Sequence, residues 1–201
     1  MGKETEQKQE IVNQGVHTYS QEEAYVWPEE PVLREQLEWF QDQKLALMVH
    51  WGVYNQLGMV ASWALSDEDA EWSRKTMDWT DDGEVFKRQY RALNRAFDPV
   101  AFQPEEWAKM AKKCGFRYLI LTTKHHDGFC LWDTAYTEYK TTAEECPFHT
   151  HKYADIVRAM FDAFRKEGLG IGAYFSKADW HCPDYWEKRS IYRKNDKESH
   201  L

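Results

Sequence analysis

The sequence predicts an α/β fold built on a parallel sheet. Three short apolar runs carry the prediction: residues 44–50 (KLALMVH), 117–123 (RYLILTT) and 170–176 (GIGAYFS). Each ends in a polar residue, and apolar residues at helical spacing lie between them. A continuous apolar run is what a parallel strand covered on both faces looks like. Strands alternating with helices imply right-handed crossovers in one sheet.

The elements follow in order. Residues 1–24 are polar and Gln/Glu-rich and read as a solvated arm, with the folded part at 25–201. Pro28 and Pro31 punctuate the next segment, and residues 32–40 read as a short helix with Leu33, Leu37 and Phe40 at helical spacing. The first strand run, 44–50, is followed by a long connection that holds a helix at about 83–96. A helix over 104–114 places Trp107, Met110 and Ala111 on one face. Pro104 suits its first turn and Gly115 its C-terminal end. After the second strand run, a helix over 153–167 carries Ile156, Val157, Met160, Phe161 and Phe164 inward. Arg165 and Lys166 sit in its last turn and Gly168 stops it. Residues 185–201, beyond the third run, are polar and read as a loop.

Composition removes several function classes. Net charge is −8, from 26 basic against 34 acidic residues with no Lys/Arg stripe, which argues against a nucleic-acid partner. The longest uncharged apolar run, 45–49, is far short of the roughly 18 residues of a membrane span. The start shows no apolar signal region, and Cys114, Cys130, Cys146 and Cys182 are widely and irregularly spaced. Free thiols in a reducing compartment are expected, which points to the cytoplasm. The aromatic content is the unusual quantity: ten Trp, eleven Tyr and ten Phe. That many rings imply a large aromatic core, a site that works with ring faces, or both.

Two architectures fit, a doubly wound open sheet and a (β/α)8 barrel, and both collect functional groups beyond the C-terminal strand ends. The first run ends in His50, Trp51 and Gly52, and the second in Lys124, His125, His126, Asp127 and Gly128. The third carries Tyr174 and Ser176, with Asp179, Trp180 and His181 behind them. A lone His50 is more often a core histidine, but adjacent His125 and His126 cost desolvation unless used. His50, His125, His126 and Asp127 are competent metal ligands, so a metal-dependent hydrolase is one reading, although these histidines are not spaced as HxH or HxxxH. Neutral imidazoles bonding sugar hydroxyls are the other, and indole faces that pack on the C–H face of a pyranose favour it. The glycines at 168, 170 and 172 enter a strand and so do not form a dinucleotide fingerprint. Cys130, set in FCLWD, reads as a core thiol.

Taken together, His50-Trp51-Gly52, Ser62-Trp63, Lys124-His125-His126-Asp127-Gly128-Phe129-Cys130 and Tyr174-Phe175-Ser176-Lys177-Ala178-Asp179-Trp180 resemble the retaining α-L-fucosidases of glycoside hydrolase family 29. Trp39-Phe40-Gln41-Asp42, Phe97-Asp98-Pro99 and Gly168-Leu169 add to the resemblance, which runs over about residues 27–186. It implies the N-terminal portion of a (β/α)8 TIM barrel, about three βα units, incomplete because such a barrel typically needs about 250 residues. It implies fucose contacts from His50, His125, His126, Tyr174 and Trp63. Some members carry Glu where this chain has Ser62, so no acid/base role transfers from there. The implied activity is retaining exo-α-L-fucosidase, acting on terminal fucose of oligosaccharides or glycoconjugates, with no cofactor or metal. The family's nucleophile follows a Trp at the fourth strand, so both catalytic carboxylates are expected beyond Leu201. Asp127, Asp133, Asp179 and Asp184 are not expected to substitute; Asp127 and Asp179, at strand ends, are expected to orient or cap neighbours instead. A fucose-binding pseudoenzyme is the alternative from another class. Three strands leave an open edge and face, so a chain ending at Leu201 is expected to be aggregation-prone unless other chain covers it.

Overall fold

A computed structural model of the chain describes residues 26–66, 71–74 and 79–182. The expected arm at 1–24 and loop at 185–201 lie outside them. The chain divides into two compact units, and α1 (Pro31–Gln43) belongs almost wholly to the first. It runs past the expected 32–40 at both ends, to Gln43 at its C-terminus, and starts one residue earlier because Pro31 serves as its first residue, where a missing N–H costs nothing. The carboxylate of Glu30 accepts from Val32 N–H at 3.1 Å and caps the start. Arg34 donates to Glu38 one turn on, at 3.2 Å.

The second unit, residues 43–182, holds a three-stranded parallel sheet in the order β1-β2-β3. The strands are β1 (Ala46–Val49), β2 (Tyr118–Lys124) and β3 (Gly170–Phe175). Met48 pairs with Ile120, and Ile120 with Gly172. The expected first strand, 44–50, is trimmed at both ends. Lys44 takes φ 58°, a left-handed conformation that breaks extended backbone. Past Val49 the ladder gives way to a side chain, because Trp51 N–H donates to Thr122 Oγ1 at 2.9 Å. The second strand runs one residue further than expected, to Lys124, with a register shift against β3 between Thr122 and Lys124.

Burial corrects the expectation that both faces are covered. Leu119 and Leu121 are fully buried on one face, whereas Met48 on the other is 48% exposed. Helices α4 (Pro104–Lys113) and α5 (Ile156–Lys166) pack together, and α5 lies on β2 and β3. On the Met48 face Ile120 is half-buried, and burial is complete only at Thr122 and Lys124, towards the C-terminal end of β2.

The helices show why their ends fall where they do. In the long first connection lie α2 (Glu71–Arg74) and α3 (Gly83–Arg91). Asp82 starts α3 by accepting from Glu84 N–H and Val85 N–H at 2.9 and 3.1 Å. The helix expected to reach 96 tightens into a 3₁₀ turn at Ala92–Ala96. Asp155 starts α5 by accepting from Arg158 N–H at 2.9 Å, so that helix begins at Ile156 and not at 153. Both α4 and α5 end in a Schellman motif. Phe116 N–H bonds Ala111 O and Leu169 N–H bonds Phe164 O, each at 3.0 Å. The turning residues are Gly115 and Gly168, at φ 85° and 75°, where glycine carries no Cβ penalty. The inward face of α4 is Pro104, Ala108 and Ala111; Met110, expected there, is 63% exposed.

Aromatic rings fill the space beside the sheet. Trp51 packs on Phe102 and Trp107 at centroid distances of 4.9 and 5.3 Å, and Phe97 on Phe129 at 5.3 Å. Leu121→Ala should cost about 2–5 kcal/mol, because a fully buried site leaves a cavity. Asp155→Ala should cost about 1 kcal/mol through the lost cap. Urea denaturation followed by circular dichroism checks both, and near-equal losses would contradict this ranking.

Candidate functional site

Five side chains expected at the site meet beyond the C-terminal strand ends. His50 follows β1, His125 and His126 follow β2, and Tyr174 lies on β3. Trp63 comes from the 3₁₀ turn Trp63–Leu65 in the first connection. The His125 ring is the hub. It lies 4.5 Å from His126, 5.5 Å from His50 and 6.4 Å from Trp63, and it stacks on Tyr174 at 6.0 Å. Trp63 also meets His126 edge-on at 5.2 Å.

In a regular strand His125 and His126 would face opposite sides. They share a side because the strand stops at Lys124 and the chain turns, with Gly128 N–H bonded to His125 O at 3.1 Å. Gly128 has φ 81°, and a Cβ there would lie 2.6 Å from Asp179 Oδ1. Both facts require glycine at this position.

Three further residues join the cluster: Trp180, expected among the groups behind the third run, and Tyr54 and Ser62, which the strand ends do not mark. Trp180 lies against His126 at 4.8 Å and donates its backbone N–H to His126 O at 2.6 Å. Tyr54 meets the His125 ring at 5.8 Å. Ser62, fully buried, is bonded through Oγ to His125 Nδ1. Trp180 was visible in the segment after the third run, whereas nothing but its place beside Trp63 marks Ser62. Trp51, half-buried, goes the other way, from a strand end to Phe102 and Trp107.

Carboxylates support the cluster from behind. Asp127 is buried and accepts from Tyr90 Oη–H at 2.8 Å and from Phe129 N–H at 3.1 Å. Burial pushes its carboxyl up to about 6, against the opposing pull of the Tyr90 bond. Asp179 Oδ1 accepts from His181 N–H and Cys182 N–H at 3.0 Å each, and its Oδ2 lies 3.4 Å from Lys124 Nζ. Asp133 is exposed and bonded by Lys140 and Thr142, away from the rings. Asp184 lies outside the described residues. Cys130 is buried, and desolvation pushes its thiol up to about 12, so it is not a ready nucleophile.

Desolvation also sets the charge of the imidazoles. It lowers His125 to about 3, with His126, His50 and Lys124 adding repulsion. It lowers His126, with Lys124 adding to the effect, and it lowers the more exposed His50. At neutral pH each ring therefore offers one donor and one acceptor and no charge. That set suits hydroxyl groups. Among the described residues, no group of three or more His, Cys, Asp or Glu is placed to hold a metal ion. The Asp127 carboxylate, expected as a fourth ligand in the metal reading, is taken up by Tyr90 and Phe129.

The C-terminal strand ends of a parallel βα sheet thus carry neutral imidazoles and indoles. The comparisons with known proteins give the chain's kinship. The family model for alpha-L-fucosidase matches residues 12–200, and the chain belongs to that family. Tissue alpha-L-fucosidase of Rattus norvegicus is 30% identical over 147 residues, 73% of this chain and 31% of its own length. Plasma alpha-L-fucosidase of Homo sapiens is 28% identical over 153 residues, 76% of this chain and 32% of its own length. An alpha-L-fucosidase of glycoside hydrolase family 29 from Bacteroides thetaiotaomicron superposes with a TM-score of 0.63 at 29% identity. That superposition covers 88% of this chain and 37% of the other. Alpha-L-fucosidase AlfC from Lactobacillus casei, solved with an alpha-L-fucose product, superposes with a TM-score of 0.58 at 33% identity over 75% of this chain and 43% of its own. The relatives are glycoside hydrolases, and the chain spans about a third of the length of these two curated relatives.

The shifted groups predict how stability responds to pH. His50, His125, His126 and His181 are all lowered by burial in the folded chain. Between an unfolded value of about 6.5 and their folded values, the unfolded chain binds more protons, so stability falls as pH falls. Asp127 has the opposite sign. Its raised value stabilises at low pH, and this is lost as pH rises through about 6. Four lowered histidines outweigh one raised carboxyl, so the urea midpoint should rise from pH 5 to pH 7. A flat or falling midpoint would contradict the buried, neutral state of the imidazoles.

Proposed function

We propose that the chain supplies the fucose-binding wall of a retaining exo-α-L-fucosidase that removes terminal α-L-fucose from oligosaccharides or glycoconjugates. The single observation that supports this most is the convergence of His50, His125, His126, Trp63 and Tyr174 on one ring cluster. Neutral imidazoles and the Tyr174 phenol bond the ring hydroxyls, and the indoles pack on the apolar face of a deoxy sugar.

In this reading the chain, from residue 25, is the N-terminal portion of a (β/α)8 barrel. The sheet supports it, with β1, β2 and β3 parallel and in sequence order. The open face around Met48 is then the inside of the barrel, closed by sequence beyond Leu201. The nucleophile and acid/base come from that sequence too. One carboxylate attacks the anomeric carbon while a carboxylic acid protonates the leaving oxygen, at a separation of about 5–5.5 Å, and water then releases fucose. The polar groups described above bind and orient the sugar for that displacement. The four cysteines are free thiols, which supports a reducing, cytoplasmic setting.

Calorimetric titration with L-fucose and an assay with an aryl α-L-fucoside test this together. The 201-residue chain should bind L-fucose, and Trp63→Ala should weaken binding by about three- to tenfold, the scale of one aromatic contact. Turnover should require the extended chain. A silent titration on a demonstrably folded chain overturns the fucose reading. Robust turnover by the 201-residue chain overturns the fragment reading.

A further inference from the structure

Ser62 holds the N-cap position of the 3₁₀ turn Trp63–Leu65, where a serine hydroxyl ordinarily bonds a backbone N–H of the turn. Here it makes no such bond. Its hydroxyl, fully buried, is bonded to Nδ1 of His125 instead. Ala61, just before it, takes φ 48°, a left-handed conformation that is strained for any residue with a Cβ. The strained residue turns the chain so that Ser62 and Trp63 both meet the imidazole pair.

The Ser62–His125 bond has a direction. Among the described residues, the Ser62 hydroxyl has one partner, Nδ1 of His125. Were His125 the donor, the hydroxyl proton would be buried without an acceptor, the costly arrangement for a buried donor. With Ser62 donating, Nδ1 accepts, and a neutral ring must then carry its proton on Nε2. Burial keeps the ring neutral, with its value lowered to about 3. Nε2 makes no hydrogen bond to the described residues, and it is not sealed from solvent as Nδ1 of His126 is.

We propose that Ser62 is a positioning residue that fixes the proton of His125 on Nε2, so that His125 presents a single N–H donor to a ligand oxygen. The identity of the ligand, a sugar hydroxyl, rests on the fucose-binding reading; the tautomer does not. The consequence is selectivity. The group facing His125 must accept a hydrogen bond, and an ammonium, which has no lone pair, is rejected there.

Histidine-labelled chain in long-range proton–nitrogen correlation spectra at pH 7 tests the tautomer directly, with the His125→Gln spectrum identifying the His125 signals. The unsubstituted chain should show His125 protonated on Nε2. Ser62→Ala should mix the two tautomers and weaken L-fucose binding by about tenfold. Ser62→Thr, which keeps the hydroxyl, should restore both. A proton on Nδ1 in the unsubstituted chain overturns the proposal, as does an unchanged tautomer in Ser62→Ala. Should Ser62→Ala fail to fold, the other two spectra still decide, since a Nδ1-protonated ring in either one overturns it. An Nε2-protonated ring in a chain that ignores L-fucose supports the role of Ser62 and counts against the fucose reading alone.

Discussion

Three successive side chains at the end of β2 tie the other two strands into place. Thr122 Oγ1 accepts from Trp51 N–H just past β1, at 2.9 Å. Thr123 Oγ1 donates to Tyr174 O on β3, also at 2.9 Å. Lys124 Nζ donates to Ala178 O at 3.1 Å and pairs with Asp179 beyond β3. These groups are buried, so each bond is made where water cannot compete for it. The C-terminal ends of three strands are thus fixed relative to one another by side chains, where the backbone ladder has stopped. His50, His125, His126 and Tyr174 occupy the positions that this stitching defines.

Burial then gives the cluster its chemistry. Imidazoles packed among Trp63, Trp180, Tyr54 and Tyr174 lose the water that would stabilise their charged forms. They become directional hydrogen-bonding groups, the property needed to read the hydroxyl pattern of a neutral ligand. The carboxylates nearby are held out of this role. Asp127 faces Tyr90, and Asp179 faces Lys124 and two backbone N–H groups. Both shape the turns that carry His126 and Trp180.

The tryptophans divide accordingly. Trp51 and Trp107, both half-buried, pack with Phe97 and Phe102 beside the sheet, while Trp63 and the buried Trp180 frame His126. Their number in the composition suggested both uses. Which indole serves which use was not readable, because Trp51 and Trp180 both stand just past strand ends and differ only in the direction their side chains take.

The sequence by itself determined the parallel α/β pattern, the three strand ends and the residues that resemble an α-L-fucosidase, because apolar runs and helical spacing are local properties. Helix stops were equally legible, since Gly115 and Gly168 mark a left-handed turn wherever they occur. Tertiary structure alone decided the trimmed strand at Ala46–Val49, the solvent-facing Met110 and which face of the three strands stays open, the one that carries Met48. Those outcomes depend on what neighbouring elements cover. It also decided that Ser62, 63 positions before His125, supplies the bond to that ring. Such a contact carries no period or spacing in the chain. It arises from a left-handed Ala61 and a buried hydroxyl that, among the described residues, is bonded only to His125 Nδ1.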